Sequence, residues 1–121
     1  MTVSAETTRR ARASKRKGVA YEKRAAATFG TSRFPANTGG PIDLLPVDGM
    51  YIQVKGGKAV TTAVMRDGMA KARAAAALHD GLPCVYLVDA RGTRLEEWVC
   101  FPAKEFAAWH GYGLAKEPVC E

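Results

Sequence analysis

The sequence predicts an α/β fold, a mixed β-sheet with helices packed on its faces. Three observations lead there. Apolar residues recur at helical spacing over residues 15–29 and again through an Ala-rich stretch at 65–79. Short β-rich runs bounded by Pro, Gly and Asp lie between and after these stretches. The run 83–88 is continuously apolar, as a strand covered on both faces must be. Helix, hairpin, helix, strand, strand and helix then follow one another, and strands interleaved with helices bury their apolar faces best as a sheet between helical layers.

Residues 1–14 are polar and basic with little to pack, which predicts an arm that stays disordered until it meets a partner. Residues 15–121 then form one domain, and 121 residues is close to the commonest size for one. In the first helix, Val19, Glu22, Ala26 and Phe29 share a stripe, and Gly30 supplies a stop. Glu22 is out of place on that apolar stripe. A carboxylate there needs a cation, a metal or water to offset its desolvation.

Residues 31–41, rich in Pro, Gly, Asn and Thr, read as a loop. Strands at 42–45 and 50–55 flank Pro46-Val47-Asp48-Gly49, whose turn chemistry predicts a hairpin. Gly56-Gly57 ends it. The helix at 65–79 closes at Asp80-Gly81, and Gly68 weakens its first turn by about 1 kcal/mol relative to Ala. After the strand at 83–88 come a turn around Gly92, a strand at 96–101 and a helix at 102–109 with Pro in the tolerated first turn.

The net charge is +6, and its distribution is more informative than its sum. Arg9, Arg10, Arg12, Lys15, Arg16, Lys17, Lys23 and Arg24 crowd the N-terminal region against Glu6 and Glu22. Such a block is either a solvated face or a contact for a polyanion. It lacks the bulky apolar residues needed for insertion at a membrane surface, and no apolar run approaches the ~20 residues of a membrane span. Cys84, Cys100 and Cys120 are widely spaced and odd in number, which argues against zinc and against a disulfide framework. With no secretory signal at the N-terminus, a reducing, cytoplasmic setting is expected.

On a strand at 50–55, Tyr51, Gln53 and Lys55 project to one face while Ile52 and Val54 project to the other. If the hairpin pairs symmetrically about Asp48, Asp43 stands opposite Gln53, with Cβ atoms ~5 Å apart. A slip of one residue would turn Asp43 to the other face. A carboxylate, a second oxygen donor and a lysine suit phosphodiester hydrolysis. Mg²⁺ takes one or two protein carboxylates and keeps several waters. Asp43 and Gln53 would be its ligands, with the Val54 carbonyl as a further donor. Lys55 would stabilise charge on the phosphate, and Glu22 would join the metal shell or hold the attacking water.

Lys17-Gly18-x-x-x-Glu22, Arg33-x-Pro35-Ala36, Pro41-x-Asp43 and Ile52-Gln53-Val54-Lys55-Gly56 occur in that order. This ordered set resembles the PD-(D/E)XK nucleases, and looks closest to the archaeal and phage type of Holliday junction resolvase. The resemblance spans about residues 17 to 57. It implies a restriction-endonuclease-like mixed sheet flanked by helices, a homodimer, and Mg²⁺-dependent nicking of four-way DNA junctions in recombination or repair. Mn²⁺ is the natural substitute, and a phage or prokaryotic cell the natural host. By position, Glu22, Asp43, Gln53 and Lys55 are the implied catalytic set, with Glu22, Asp43 and Gln53 as metal ligands. Lys15, Arg16, Lys17, Lys23 and Arg33 are the expected DNA contacts. Gln53 departs from the family, which usually has glutamate there, although some relatives in the wider superfamily use glutamine. Its neutral amide removes one negative charge from the site.

Other residues read more plainly. Lys71 and Arg73 suit a solvated helix face. The alanines at 70, 72 and 74–77 permit close packing on the sheet or on a second subunit. His79 and His110 have no ligand spacing, and Phe101, Phe106 and Trp109 fit a core better than a base-stacking platform. Three alternatives remain beside the resolvase: another duplex or flap nuclease of the superfamily, a silent DNA-binding relative, and a basic RNA-binding or ribosome-associated protein. The last would explain the charge but not an inward Glu22.

Overall fold

The computed structural model describes residues 5–34, 42–58 and 60–113, with the side chains of 5–7 and 14 outside that description. Its elements are α1 (Ala5–Phe29), β1 (Met50–Gly57), α2 (Thr62–Ala77), β2 (Leu82–Asp89), β3 (Glu96–Cys100) and α3 (Ala103–Trp109). The sheet has the order β1-β2-β3, with β1 parallel to β2 and β3 antiparallel to it. The fold is therefore α/β around a small mixed sheet. No helix among the described residues is long and apolar enough to cross a membrane. Most of the expected loop at 31–41, including Pro35, Ala36 and Pro41, lies outside the described residues, as does Cys120.

β2 is central, and every one of its residues is buried. Its side chains alternate between two cores, as the period of a strand requires. Cys84, Tyr86 and Val88 pack with Ala25 and Ala26 of α1, Leu44, and Ile52 and Val54 of β1. Val85 and Leu87 pack on the other face with Val60, which precedes α2, and with Met69 of α2. Tyr86 donates its hydroxyl to Glu97, which also pairs with Arg24 at 3.0 Å, so α1 is tied to β3 across the sheet. Burial pushes the Cys84 thiol up to about 12, and Cys84 behaves as a small apolar core residue.

Several boundaries move. α1 begins ten residues earlier than expected, so residues 5–14 are helical instead of forming a disordered arm. The segment has no Gly or Pro, and its Ala, Arg and Glu are strong helix formers that extend a helix already nucleated by packing at 18–29. At ~1.5 Å per residue, α1 is about 37 Å long. α2 starts at Thr62 instead of Met65, because Thr61 caps it by accepting the Val64 N–H at 3.3 Å. It ends at Ala77, two residues short of expectation. The backbone then reverses at Asp80 (φ 51°), and the Gly81 N–H returns to the Ala76 carbonyl at 2.9 Å.

The largest correction concerns the hairpin. Residues 42–45 form no strand; Leu44 makes only an isolated bridge to Arg33. Asp48 and Gly49 have φ of 49° and 76°, a two-residue turn that bonds Val47 to Met50 in both directions. That turn would put position 43 opposite Val54, one residue from the expected register. The Asp43 N–H donates to the Ile52 carbonyl, whereas its own carbonyl accepts from Phe34 N–H. In a regular ladder both groups would serve one neighbouring strand. The bend at Asp43 therefore stops the ladder.

Candidate active site

A cavity of about 460 Å³ opens between α1 and the C-terminal half of β1. It is lined by Lys17, Gly18, Tyr21 and Glu22 from α1, by Asp43, by Gln53 to Gly57 of β1, and by Lys58 and Ala90. Five of the expected site residues thus meet: Lys17, Glu22, Asp43, Gln53 and Lys55. The β1 residues that line it, Gln53 to Gly57, are consecutive and so alternate between the two faces of the strand.

Asp43 reaches this cavity despite the lost ladder. Its carboxylate accepts the Val54 N–H at 2.8 Å, taking the place of a backbone partner. Partial burial raises its pKa, against the lowering effect of the Val54 bond; the nearby charge of Glu22 raises it further, while Lys55 and Lys71 pull it down. Asp43 is consequently a carboxylate that gains from a cation. On the same cavity, Gln53 is buried and its Oε1 has no hydrogen-bond partner among the described residues. A buried amide oxygen left in this state costs about 1–3 kcal/mol. This is the most telling feature of the site.

Glu22, expected to need a cation, a metal or water, pairs with Arg33, whose Nε donates to Oε2 at 2.9 Å. Both side chains are partly buried. Arg33, read from sequence as a DNA contact, is thus engaged inside the protein through that nitrogen and holds Glu22 at the rim. Lys55 donates to Asp67 Oδ2 at 2.9 Å, and Lys71 lies 3.5 Å from the same oxygen. Lys55 beside Asp67 holds the Asp67 carboxyl below its usual range. Asp67 was not singled out from sequence. Its spacing to Lys71 is an ordinary i,i+4 helical pair, and nothing local indicates that the more important partner lies on β1.

Lys15, Arg16 and Lys23 are exposed but do not join the cavity. They line a groove on another side of α1 with Arg12, Val19 and Ala20. His79 stacks on Tyr51 with ring centroids 5.5 Å apart, at the far end of β1, and His110 packs among Phe106 and Tyr112. Phe101 and Phe106 are partly buried against each other, whereas Trp109 is 44% exposed and rests on Gly49.

Among the described residues no group of three His, Cys, Asp or Glu side chains is gathered for a metal. The donor set here is of a different kind: two carboxylates, Asp43 and Glu22, the charge of the second raising the pKa of the first, and the orphaned Gln53 oxygen. These are hard oxygen donors, few in number. They fit a largely hydrated Mg²⁺ or Mn²⁺ and do not fit zinc, which favours nitrogen and sulfur. No family model, curated protein or solved structure matches the chain.

Proposed function

We propose that this protein is a metal-dependent DNA endonuclease of the restriction-endonuclease-like fold, acting as a homodimer that nicks four-way junctions. The observation that carries the reading is the buried Gln53 Oε1, without a partner among the described residues, on one cavity with the Asp43 carboxylate and Lys55. A cation bound by Asp43, Gln53 and Glu22 would polarise a phosphate and acidify water. Gln53 is carried on β1 itself, and the Val54 N–H of the same strand fixes the Asp43 carboxylate. Lys55 faces the place where phosphate charge develops and stabilises it there. Glu22, held by Arg33, completes the metal shell or orients the attacking water on the α1 side. Lys17 contributes positive charge at the cavity, and Lys15, Arg16 and Lys23, on another side of α1, offer phosphate contacts away from it.

One observation favours a second reading. Gln53 is neutral where a carboxylate would bind a cation more tightly, as expected of a DNA-binding relative that no longer cuts. Cleavage of a labelled four-way junction, beside duplex, flap and single-stranded controls, separates the two. Paired nicks with Mg²⁺ or Mn²⁺, absent in EDTA and in Asp43→Asn, are the expected result. Cutting of every substrate would remove the junction specialisation. Tight junction binding without cutting under either metal would establish the second reading.

A further inference from the structure

Lys55 is held at two points by consecutive residues of α2. Its Nζ donates to Asp67 Oδ2 at 2.9 Å. Its stem runs past Gly68, where a Cβ would stand 3.1 Å from Lys55 Cγ, 3.4 Å from Lys55 Cε and 3.3 Å from Val85 Cγ2. Gly68 is buried, and φ there gives no reason for glycine. Glycine weakens a helix interior, so the benefit must come from space, and the lysine stem occupies that space.

We propose that Asp67 and Gly68 are positioning residues for Lys55, Gly68 by seating its stem against the α2 backbone and Asp67 by fixing its ammonium beside the cavity. The purpose attached to Lys55 rests on the nuclease reading; the holding device does not. Lysine is a point charge on a flexible four-carbon stem, and leaving it loose would forfeit the benefit of prepaid orientation. An ammonium has three donors, so a bond to Asp67 leaves capacity for a phosphate oxygen. Asp67 is more than half exposed, and an ion pair at such a site contributes little to stability. Its effect is therefore one of placement. Lys71, 3.5 Å from Asp67 Oδ2, steadies the carboxylate from the next turn.

The test combines single-turnover and steady-state cleavage with NMR of the lysine ammonium groups in ¹⁵N-lysine-labelled full-length protein, the Lys55 signal being assigned by its loss in Lys55→Arg. In Asp67→Ala, which leaves no side-chain acceptor, kcat should fall about tenfold with KM nearly unchanged, and the Lys55 ammonium should become as mobile as that of exposed Lys104. Asp67→Glu should recover most of the rate. Gly68→Ala should slow cleavage by displacing the Lys55 stem, while the gain in helix propensity offsets the crowding of Val85 in the melting temperature. An Asp67→Ala protein with unchanged Lys55 mobility, or with a changed KM and an unchanged kcat, overturns the proposal. If the wild-type protein cuts no DNA with either metal, the nuclease reading fails, and the mobility measurement alone decides: a loosened Lys55 in Asp67→Ala upholds the clamp, and an unchanged one overturns it.

Discussion

The carboxylate of Asp43 accepts the backbone N–H of Val54 at 2.8 Å, so one side chain both ends the pairing of its own segment with β1 and faces the cavity. The same bond predicts how substitutions separate fold from chemistry. Asn at position 43 keeps an oxygen for Val54 N–H, so Asp43→Asn should fold with a stability near wild type yet lose cleavage. Asp43→Ala leaves a part-buried donor unpaired and should cost about 1–3 kcal/mol as well. Urea denaturation of both variants checks this, and equal stabilities would show that Val54 N–H does not depend on the side chain.

The acid range should expose two carboxylates with opposite linkage. Asp43 has its pKa raised above 3.8, chiefly by burial, so the native state holds that proton more tightly than the unfolded chain. Its ionisation works against folding as pH rises through 3.8 and past the raised value. Asp89 is held at about 2 by the Arg91 guanidinium and the Arg91 N–H, so its contribution is present above 3.8 and lost as pH falls toward 2. Stability differences from wild type should therefore slope in opposite directions for Asp43→Asn and Asp89→Asn. Denaturation curves across the acid range measure both, and parallel slopes would contradict one of the two assignments.

Much of this arrangement is legible in the sequence, and the part that is not has a physical cause. The element order follows from periodicity: the apolar run at 83–88 became the fully buried β2, and the stripe through Ala26 and Phe29 packs on the sheet. Glu22 on that stripe signalled a need for a partner, and Arg33 meets it. The hairpin failed because register depends on where a turn is centred. Asp48-Gly49 moves that centre by half a residue and so turns an expected strand pair into a bend at Asp43. Asp67 was hidden because its contact with Lys55 crosses from α2 to β1, whereas sequence spacing exposes only its neighbour Lys71. The helical continuation of α1 to Ala5 was missed because a face without apolar residues gives no periodic signal.

The length of α1 carries a prediction about salt. Arg9, Arg10 and Arg12 ride on a continuous helix with Lys15, Arg16 and Lys23. Each phosphate contact steepens the dependence of log K on log salt by about 0.9. Removing residues 1–14 should flatten the slope for a DNA junction, while Lys15, Arg16 and Lys23 retain part of it. Fluorescence anisotropy over a salt series measures the change. An unaltered slope would take the first half of α1 out of the DNA contact.

The amide at position 53 should behave as a reserve ligand whose charge can be restored. Gln53→Glu puts a third carboxylate beside Asp43 and Glu22, in a place where burial already raises the pKa of Asp43. Without a divalent cation, like-charge repulsion and desolvation should lower the melting temperature below wild type. With Mg²⁺ the order should reverse, because a ligand bound only by the folded state stabilises by about 2.7 kcal/mol at a hundredfold excess over its Kd. The crossing of the two melting curves as Mg²⁺ rises, with no crossing when Ca²⁺-free EDTA buffer is used, would locate the cation at Gln53. If Gln53→Glu is less stable at every Mg²⁺ concentration, the orphaned Oε1 is not a metal ligand, and its partner must be sought in water or in the DNA.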